Sequence, residues 1–170
     1  MSAITRTLVH IIEVDRSILR WLSTLRRPVV DSLMRGFTRT GDWQSWTALS
    51  LAALVAGGPY RALALQIIPK LLATLGLCFT IKTLSRRQRP SVAMTDFHSL
   101  LRNPDPYSFP SSHTACAWVV CASLGMTLGW GWPLWILYAS SISYSRIHVG
   151  AHYPLDVLIG TAIGVGMAAL

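Results

Sequence analysis

Five apolar runs, separated by short polar or glycine-containing breaks, dominate the chain after residue 42. They cover approximately residues 43–57, 62–81, 113–129, 134–145 and 155–170. Membrane-spanning helices need about 20 largely apolar residues, and most of these runs approach that length. Only 13% of the 170 residues are charged, whereas about 25% is usual for a soluble domain. The sequence therefore predicts an all-α integral membrane bundle of about five transmembrane helices.

Residues 1–42 differ from the rest because arginine and acidic residues recur too often for a lipid-buried helix. The apolar residues of this segment fit one or two amphipathic helices, broken near Pro28: Leu8, Ile11, Ile12, Ile18, Leu19, Trp21 and Leu22. Such helices either lie in the membrane interface or form a soluble cap on the bundle. Acidic residues precede the first long apolar run, so no cleavable signal peptide is expected. We predict one domain, with residues 1–42 as the interfacial segment and 43–170 as the bundle.

The net charge of +8 and the 52% apolar composition indicate the class of partner. In a membrane protein, surplus positive charge favours anionic lipid head groups or phosphate substrates. No nucleic-acid partner is expected. The three cysteines, Cys78, Cys116 and Cys121, lie in apolar runs without CxxC or Cys/His spacing. We predict free, buried cysteines, no metal site and no cofactor.

Polar residues that are difficult to explain in lipid lie where the apolar runs begin or end. They are Lys82, His113, Arg146, His152 and Asp156. Successive helices alternate in direction across the membrane. With five helices, one side of the membrane therefore holds the end of the second helix, the start of the third, the end of the fourth and the start of the fifth. The polar connection 82–112 lies on the same side. Span counting therefore predicts one site at one rim of the bundle.

The basic residues of this rim fit an anion-binding site. Lys82, Arg89 and Arg146 bring three cations to a low-dielectric environment with few acids, and unpaired charge there is unfavourable. The guanidinium group matches phosphate oxygens in a bidentate geometry. Ser111 and Ser112, at a predicted helix start, add hydroxyl and backbone N–H donors. The other basic residues of the connection are interpreted as ordinary flanking cations: Arg86, Arg87 and Arg102.

Two histidines complete a possible catalytic set. His152 and Asp156 are four residues apart, so a helix would place them on one face, and a carboxylate on one ring nitrogen makes the other more nucleophilic. His113 is then available to protonate a leaving oxygen. A metal bound by these groups would be repelled by the three cations, and a nucleophilic serine in the 111–112 pair is an alternative. The other histidines are weaker candidates: His10, His98 and His148.

These motifs resemble the signature of the type-2 phosphatidic acid phosphatases, over about the last ninety residues. The three parts read Lys82-x6-Arg89-Pro90, then Pro110-Ser111-Ser112-His113, then Ser145-Arg146-x5-His152-x3-Asp156. The family includes phosphatidylglycerophosphate, undecaprenyl pyrophosphate and lipid A phosphatases, and soluble vanadium haloperoxidases. This chain has Ser112 where glycine is usual. From the predicted span count, it is also expected to lack the first of the six spans of many bacterial relatives.

The resemblance implies a role for each matching residue. His152 would be the nucleophile that forms a phosphohistidine, Asp156 its orienting partner and His113 the general acid. Lys82, Arg89 and Arg146 would bind the phosphate together with Ser111 and the backbone at Ser112. No metal is implied. We therefore predict a metal-independent phosphatase acting on a membrane lipid such as a polyprenyl phosphate or pyrophosphate, phosphatidic acid or phosphatidylglycerophosphate.

Two other functions fit the same residues. A lipid-to-lipid phosphotransferase would use the same phosphohistidine with a different acceptor, and a non-catalytic lipid-phosphate binder or transporter would use the cations alone. All Lys and Arg except Arg61 and Lys70 lie on the predicted site side. The positive-inside rule then favours a cytoplasmic site in a bacterial inner membrane, whereas most bacterial relatives face outward. The sequence predicts neither the particular lipid nor the oligomeric state.

Overall fold

The computed structural model describes residues 3–103 and 105–170, and in them the chain forms helices and connecting loops. The helices are α1 (Ala3–Ser23), α2 (Pro28–Thr40), α3 (Trp43–Ala56), α4 (Gly58–Ser85), α5 (Pro90–Ala93), α6 (Ser112–Leu128), α7 (Trp132–His148) and α8 (Pro154–Ala168). Within the described residues there is no β-strand, only an isolated bridge between Gln88 and Tyr107. The prediction of an all-α fold is confirmed.

Proline and glycine set most of the helix boundaries. Proline occupies the first or second position of α2, α4, α5, α7 and α8, where the missing N–H has no intrahelical partner to lose. Gly129 ends α6 with a φ of 68°, a left-handed conformation that glycine adopts without strain. The predicted second run, 62–81, is the inner part of the longer helix α4. Residues 82–112, predicted as one long connection, contain the end of α4 and the short α5.

Helix α6 forms the centre of the bundle, packed against α4, α7 and α8. Its buried residues are mostly small: Ala115, Cys116, Ala117, Val119, Val120, Cys121 and Ala122. Small side chains let the neighbouring helices approach closely. All three cysteines are free and buried, as predicted.

Gly160 and Gly164, four residues apart on α8, lie where α8 packs closely against α6. A Cβ atom at Gly160 would lie 2.6 Å from the Ser111 carbonyl oxygen, and one at Gly164 would lie 2.4 Å from that of Ala115. Both distances are too short for a real Cβ contact, and the opposing atoms are backbone. Glycine is therefore required where α8 crosses α6.

We expect Gly164→Val to destabilise the bundle by roughly 1–3 kcal/mol or more, because the added carbons must push two helix backbones apart. The free energy of unfolding in detergent measures the effect. Gly166→Val is the matched control, since it makes the same change on the same helix at a position with no atom within 4 Å of the added Cβ. Equal losses from the two substitutions would show that the cost is helix propensity alone.

Lys70, which is an unusual residue in an apolar run, has a specific partner. Its Nζ atom donates a 2.7 Å hydrogen bond to the carbonyl oxygen of Ala168 at the end of α8. The last carbonyl groups of a helix lack intrahelical partners and carry partial negative charge. Lys70 therefore stabilises the end of α8 that is opposite to Asp156.

Among the described residues, α4 alone is clearly able to cross a membrane. Gly58–Ser85 is long and apolar enough to cross a membrane, and Ser112–Leu128 and Pro154–Ala168 are shorter apolar helices. The number of spans, about five, stays a prediction. Helix α1 contacts α7 and α8, with Asp15 and Leu19 buried and most of its other apolar side chains exposed.

Candidate active site

A cavity of about 490 Å³ runs between α3 and α4 and ends at the predicted site residues. Its walls are mostly apolar and include Trp46, Leu51, Leu54, Ile68, Leu71, Leu72 and Leu75. Its polar end is formed by Lys82, Arg89, Asp105, Ser112, His113, Arg146 and His152. The structure therefore brings residues from three helices and three connecting segments to one end of an apolar channel. Trp46 is 5% exposed and lines this channel.

Three cations, Lys82, Arg89 and Arg146, surround the polar end, and we call them the cationic clamp. Arg89 is held by bonds from Nε to the Asp105 carbonyl oxygen, 2.7 Å, and from Nη1 to that of Ala151, 2.9 Å. Arg146 is 5% exposed and donates from Nη1 to the hydroxyl of Thr38. Its Nε is buried without a partner among the described residues. A buried N–H group without a partner is a ready donor for an anion in the cavity.

Asp105 is the acidic counterpart of the clamp. Its Oδ2 atom lies 3.0 Å from Arg89 Nη2 and 3.4 Å from Lys82 Nζ. Burial disfavours the charged carboxyl, but the positive charges of Arg89 and Lys82 outweigh this effect and lower the pKa of Asp105. One carboxylate thus partly neutralises three cations. The excess of positive charge left at the cavity end is suited to a phosphate group.

The His152 ring is fixed in one tautomer. Nδ1 lies 2.6 Å from the carbonyl oxygen of Ser108, which can only accept, so Nδ1 carries the proton. Nε2 lies 3.3 Å from Arg89 Nη1 and is the nitrogen with a free lone pair. Burial, followed by the positive charges of the cationic clamp, lowers the pKa of His152 well below its ordinary value. The ring is therefore neutral near pH 7 and has a nucleophilic nitrogen beside the clamp.

Asp156 lies next to His152 but does not make the expected hydrogen bond. Its Oδ2 atom is 3.7 Å from His152 Nδ1 and accepts a 2.9 Å bond from the backbone N–H of Tyr153. The reason is local: His152 precedes α8 by two residues, whereas Asp156 is the third residue of α8 and caps its start. The two side chains are therefore not on one helical face. The carboxylate acts on the ring through charge at short range, and Ser108 makes the orienting bond.

His113 is positioned from outside its own helix. It lies in the first turn of α6, and its Nε2 atom is 2.6 Å from Asp42 Oδ1 at the start of α3. This hydrogen bond is the largest cause that lowers the pKa of Asp42 below its ordinary value. Burial and the nearby Arg146 disfavour a protonated His113 more strongly than the Asp42 carboxylate favours it, so the negative charge of a bound phosphate is needed for the ring to carry a proton. A histidine with a carboxylate partner at a cavity wall can exchange a proton with a bound group.

The two serines of the second motif have different positions. Ser112 lines the cavity as the first residue of α6 and adopts an ordinary negative φ, so serine in place of glycine causes no backbone strain there. Ser111 is fully buried; its hydroxyl oxygen accepts a 3.0 Å bond from the Thr114 hydroxyl, and its N–H donates to the Asp156 carbonyl oxygen. Ser111 therefore joins α6 to α8 beneath the cavity.

Several residues near the site were not predicted from the sequence as parts of it: Asp15, Thr38, Asp42, Arg87 and Ser108. Arg87, interpreted as a flanking cation, is instead paired with Asp15 and Asp156 at 2.5 and 2.6 Å. His148 lies apart, buried and 2.7 Å from Asp31, and His10 and His98 are exposed. Within residues 3–103 and 105–170, no group of three His, Cys, Asp or Glu side chains is arranged to hold a metal.

Comparison with known proteins shows the family and the fold. The family model described as PAP2 superfamily matches residues 63–170. A decaprenylphosphoryl-5-phosphoribose phosphatase of Mycobacterium tuberculosis is 31% identical over 148 residues, covering 85% of this chain and 80% of that protein. An undecaprenyl-diphosphatase of Sulfolobus acidocaldarius is 28% identical, covering 79% and 66%. In fold, the chain is similar to the transmembrane PAP2-type phosphatidylglycerolphosphate phosphatase of Bacillus subtilis, with a TM-score of 0.79, 21% identity and coverage of 94% and 83%.

Proposed function

The chain belongs to the PAP2 superfamily, and we propose that it is a metal-independent membrane phosphatase that removes a terminal phosphate from a lipid. The observation that carries this proposal is the apolar channel that ends at the cationic clamp, His113 and His152. A lipid tail fits the apolar walls, and a phosphate fits the surplus positive charge at the end. A soluble sugar phosphate would leave most of the channel wall without a partner.

The reaction follows from the two histidines. His152 Nε2 attacks phosphorus, a P–N bond forms and the bond from phosphorus to the lipid oxygen breaks, while His113 gives its proton to that oxygen. Water then attacks the phosphohistidine, the P–N bond breaks, and His113 takes the proton from water. The cationic clamp stabilises the charge that develops on the phosphoryl oxygens in both steps. Throughout, His152 Nδ1 keeps its proton and donates it in a hydrogen bond to the Ser108 carbonyl oxygen.

We propose long-chain lipid phosphates, and polyprenyl-linked phosphates first among them, as the substrate class. The channel extends along α3 and α4 through seven large apolar side chains of its wall, which suits a tail without polar groups. Both curated relatives described above act on polyprenyl-linked substrates according to their names. Phosphatidic acid and phosphatidylglycerophosphate have the same chemistry at the reacting phosphate, so they belong in the test.

The proposal is tested with purified protein in vesicles, using undecaprenyl phosphate, undecaprenyl diphosphate, phosphatidic acid and phosphatidylglycerophosphate, each with and without excess EDTA. Release of inorganic phosphate that EDTA does not reduce is the expected result. If the phosphate were transferred to a second lipid instead of to water, the activity would be phosphotransfer and not hydrolysis. Binding of these lipids without any turnover would make the protein a lipid-phosphate binder.

We expect Ser50→Trp to raise the KM for a long-chain lipid phosphate by about tenfold or more, because an indole in the channel displaces roughly two or three methylene contacts of the tail. Ser50 lines the channel on α3. The KM for a short, water-soluble phosphate ester should change little. Leu49→Trp is the matched control, since Leu49 is the preceding residue, is 55% exposed and does not line the channel. Equal effects of the two tryptophans would contradict tail binding at this channel.

We also propose that the site faces the cytoplasm in a bacterial inner membrane. In the predicted alternation of spans, all Lys and Arg except Arg61 and Lys70 lie at the site end. The asymmetry favours that end inside the cell. A cysteine introduced at exposed Arg102, in a variant without native cysteines, should react with an impermeant thiol reagent only after the cells are opened. Reaction of this cysteine in intact cells would show that the site faces outward.

A further inference from the structure

The Asp156 side chain is held by hydrogen bonds from residues that are not named positions of the three motifs. Its side chain is 0% exposed, and its Oδ1 atom accepts a 2.6 Å bond from Arg87 Nη1. Its Oδ2 atom accepts from the N–H of Tyr153 and lies 3.7 Å from the His152 ring. Arg87 therefore provides the main side-chain contact that fixes this carboxylate beside the proposed nucleophile.

Arg87 is itself fixed on three sides. Its second terminal nitrogen, Nη2, donates a 2.5 Å bond to Asp15 Oδ2. The face of its guanidinium lies 4.2 Å from the centre of the Tyr153 ring. The planar group thus bridges two carboxylates while it stacks on an aromatic ring, an arrangement that lysine cannot reproduce.

Asp15 connects the network to the N-terminal helix. It is 5% exposed, and its other oxygen, Oδ1, accepts a 2.9 Å bond from the backbone N–H of Leu155 in the first turn of α8. A carboxylate at that place satisfies a free N–H group and complements the helix dipole. One face of α1 therefore holds the start of α8, which carries Asp156, through a buried acid.

We propose that Arg87 and Asp15 are positioning residues of the reaction, which act through Asp156 on His152. The proposal rests on the proposed phosphohistidine chemistry. When phosphorus bonds to His152 Nε2, the ring keeps the proton on Nδ1 and becomes positively charged, and the carboxylate at 3.7 Å stabilises that charge. Arg87 keeps the carboxylate ionised and correctly placed for this step. Helix α1 is thus a component of the active site and not only a contact with the membrane.

The charged surroundings of Asp156 give the proposal a pH signature. Arg87 and Arg89 face it from the α4–α5 connection, Asp15 faces it across Arg87 from α1, and His152 precedes it. Without Arg87, two buried carboxylates share one low-dielectric region, and such a pair favours protonation of one member. Protonated Asp156 cannot stabilise the charged ring, so activity at neutral and lower pH should be lost first.

The expected effect of Arg87→Met is a fall in kcat of about 10- to 100-fold with little change in KM, because a misplaced catalytic group can cost about that factor. The acidic limb of the kcat profile should move to higher pH, and formation of the phosphoenzyme should slow equally. Arg87→Lys should recover only part of the rate. Arg86→Met is the matched control, because Arg86 is the preceding residue, is exposed, and its side chain donates only to the Thr83 carbonyl within the described chain.

A second substitution separates positioning from folding. Asp15→Leu combined with Arg87→Met removes one of the two buried acids that lose their partner, so the melting temperature should recover part of the way towards that of the parent protein. The kcat should stay low. Recovery of kcat together with the melting temperature would overturn the proposal, because stability alone would then explain the loss.

The parent protein on the lipid phosphate panel is the reference. If the parent is inactive on every lipid, the proposed function fails and the proposal fails with it. If the parent is active and Arg87→Met matches it in kcat across the pH range, only the positioning role is overturned. A rise in KM at constant kcat would also overturn it, since that pattern indicates lost ground-state binding.

Discussion

Replacing His152 by alanine is expected to reduce turnover of a lipid phosphate by at least about four orders of magnitude, the range found when a covalent nucleophile is removed. The structure leaves no other nucleophile in the described cavity with the same position. His152 Nε2 lies beside Arg89, its tautomer is fixed by Ser108, and the lowered pKa keeps the ring neutral. Without it, water must attack the lipid phosphate directly.

Phosphate release from a lipid phosphate in vesicles measures this loss. Rapid quenching in alkali, in which phosphohistidine is stable, should recover labelled phosphate on the parent protein and none on His152→Ala. Because the cationic clamp remains, inorganic phosphate should still raise the melting temperature of the variant, which shows that the fold and the anion site persist. His10→Ala, an exposed histidine on α1, is the control. If a labelled phosphoenzyme persisted in His152→Ala, the nucleophile would be another residue.

The position of the site could be predicted from the sequence because it depends only on successive helices running in opposite directions. Helices that alternate in direction must bring particular ends of the apolar runs together. The residues at those ends are Lys82, His113, Arg146 and His152. The structure places all four at one end of the channel.

The partners of these residues could not be predicted, because they come from segments without a periodic relation to the site. Asp42 reaches His113 from the turn between α2 and α3, and Thr38 reaches Arg146 from the last turn of α2. Neither contact follows from spacing along the chain. The Asp156 prediction depended on α8 beginning before His152, whereas Pro154 starts the helix two residues later. A shift of two residues was enough to give the orienting bond to the carbonyl of Ser108.

Charged residues of the polar segments were also difficult to assign from sequence. Arg86 and Arg87 are adjacent, yet one is exposed and the other bridges two buried carboxylates. The difference arises at Arg86, which ends α4 with a φ of 48° and turns the chain so that its neighbour faces α8. Composition alone gives no sign of that turn. Asp15 was unassigned for the same reason, since its partners lie on α4–α5 and α8.

The second large effect is expected at His113, and it should depend on the leaving group. His113→Ala should lower kcat/KM for an alkyl lipid phosphate by about 10²–10⁴-fold, because an alkoxide leaves poorly without a proton. With 4-nitrophenyl phosphate, whose leaving group needs no protonation, formation of the phosphoenzyme should be much less affected. Asp42→Asn should show the same pattern with a smaller loss, since it removes the charge that favours a protonated ring 2.6 Å away.

The aryl ester also tests the second half of the reaction, in which His113 takes a proton from the attacking water. In His113→Ala that step should become slow while the first stays fast. The variant should therefore release one equivalent of 4-nitrophenol per site in a burst, with labelled phosphate retained on His152. Such a burst requires both an intact nucleophile and a missing proton acceptor. Equal losses with alkyl and aryl substrates, without a burst, would mean that His113 binds the phosphate and does not move the proton.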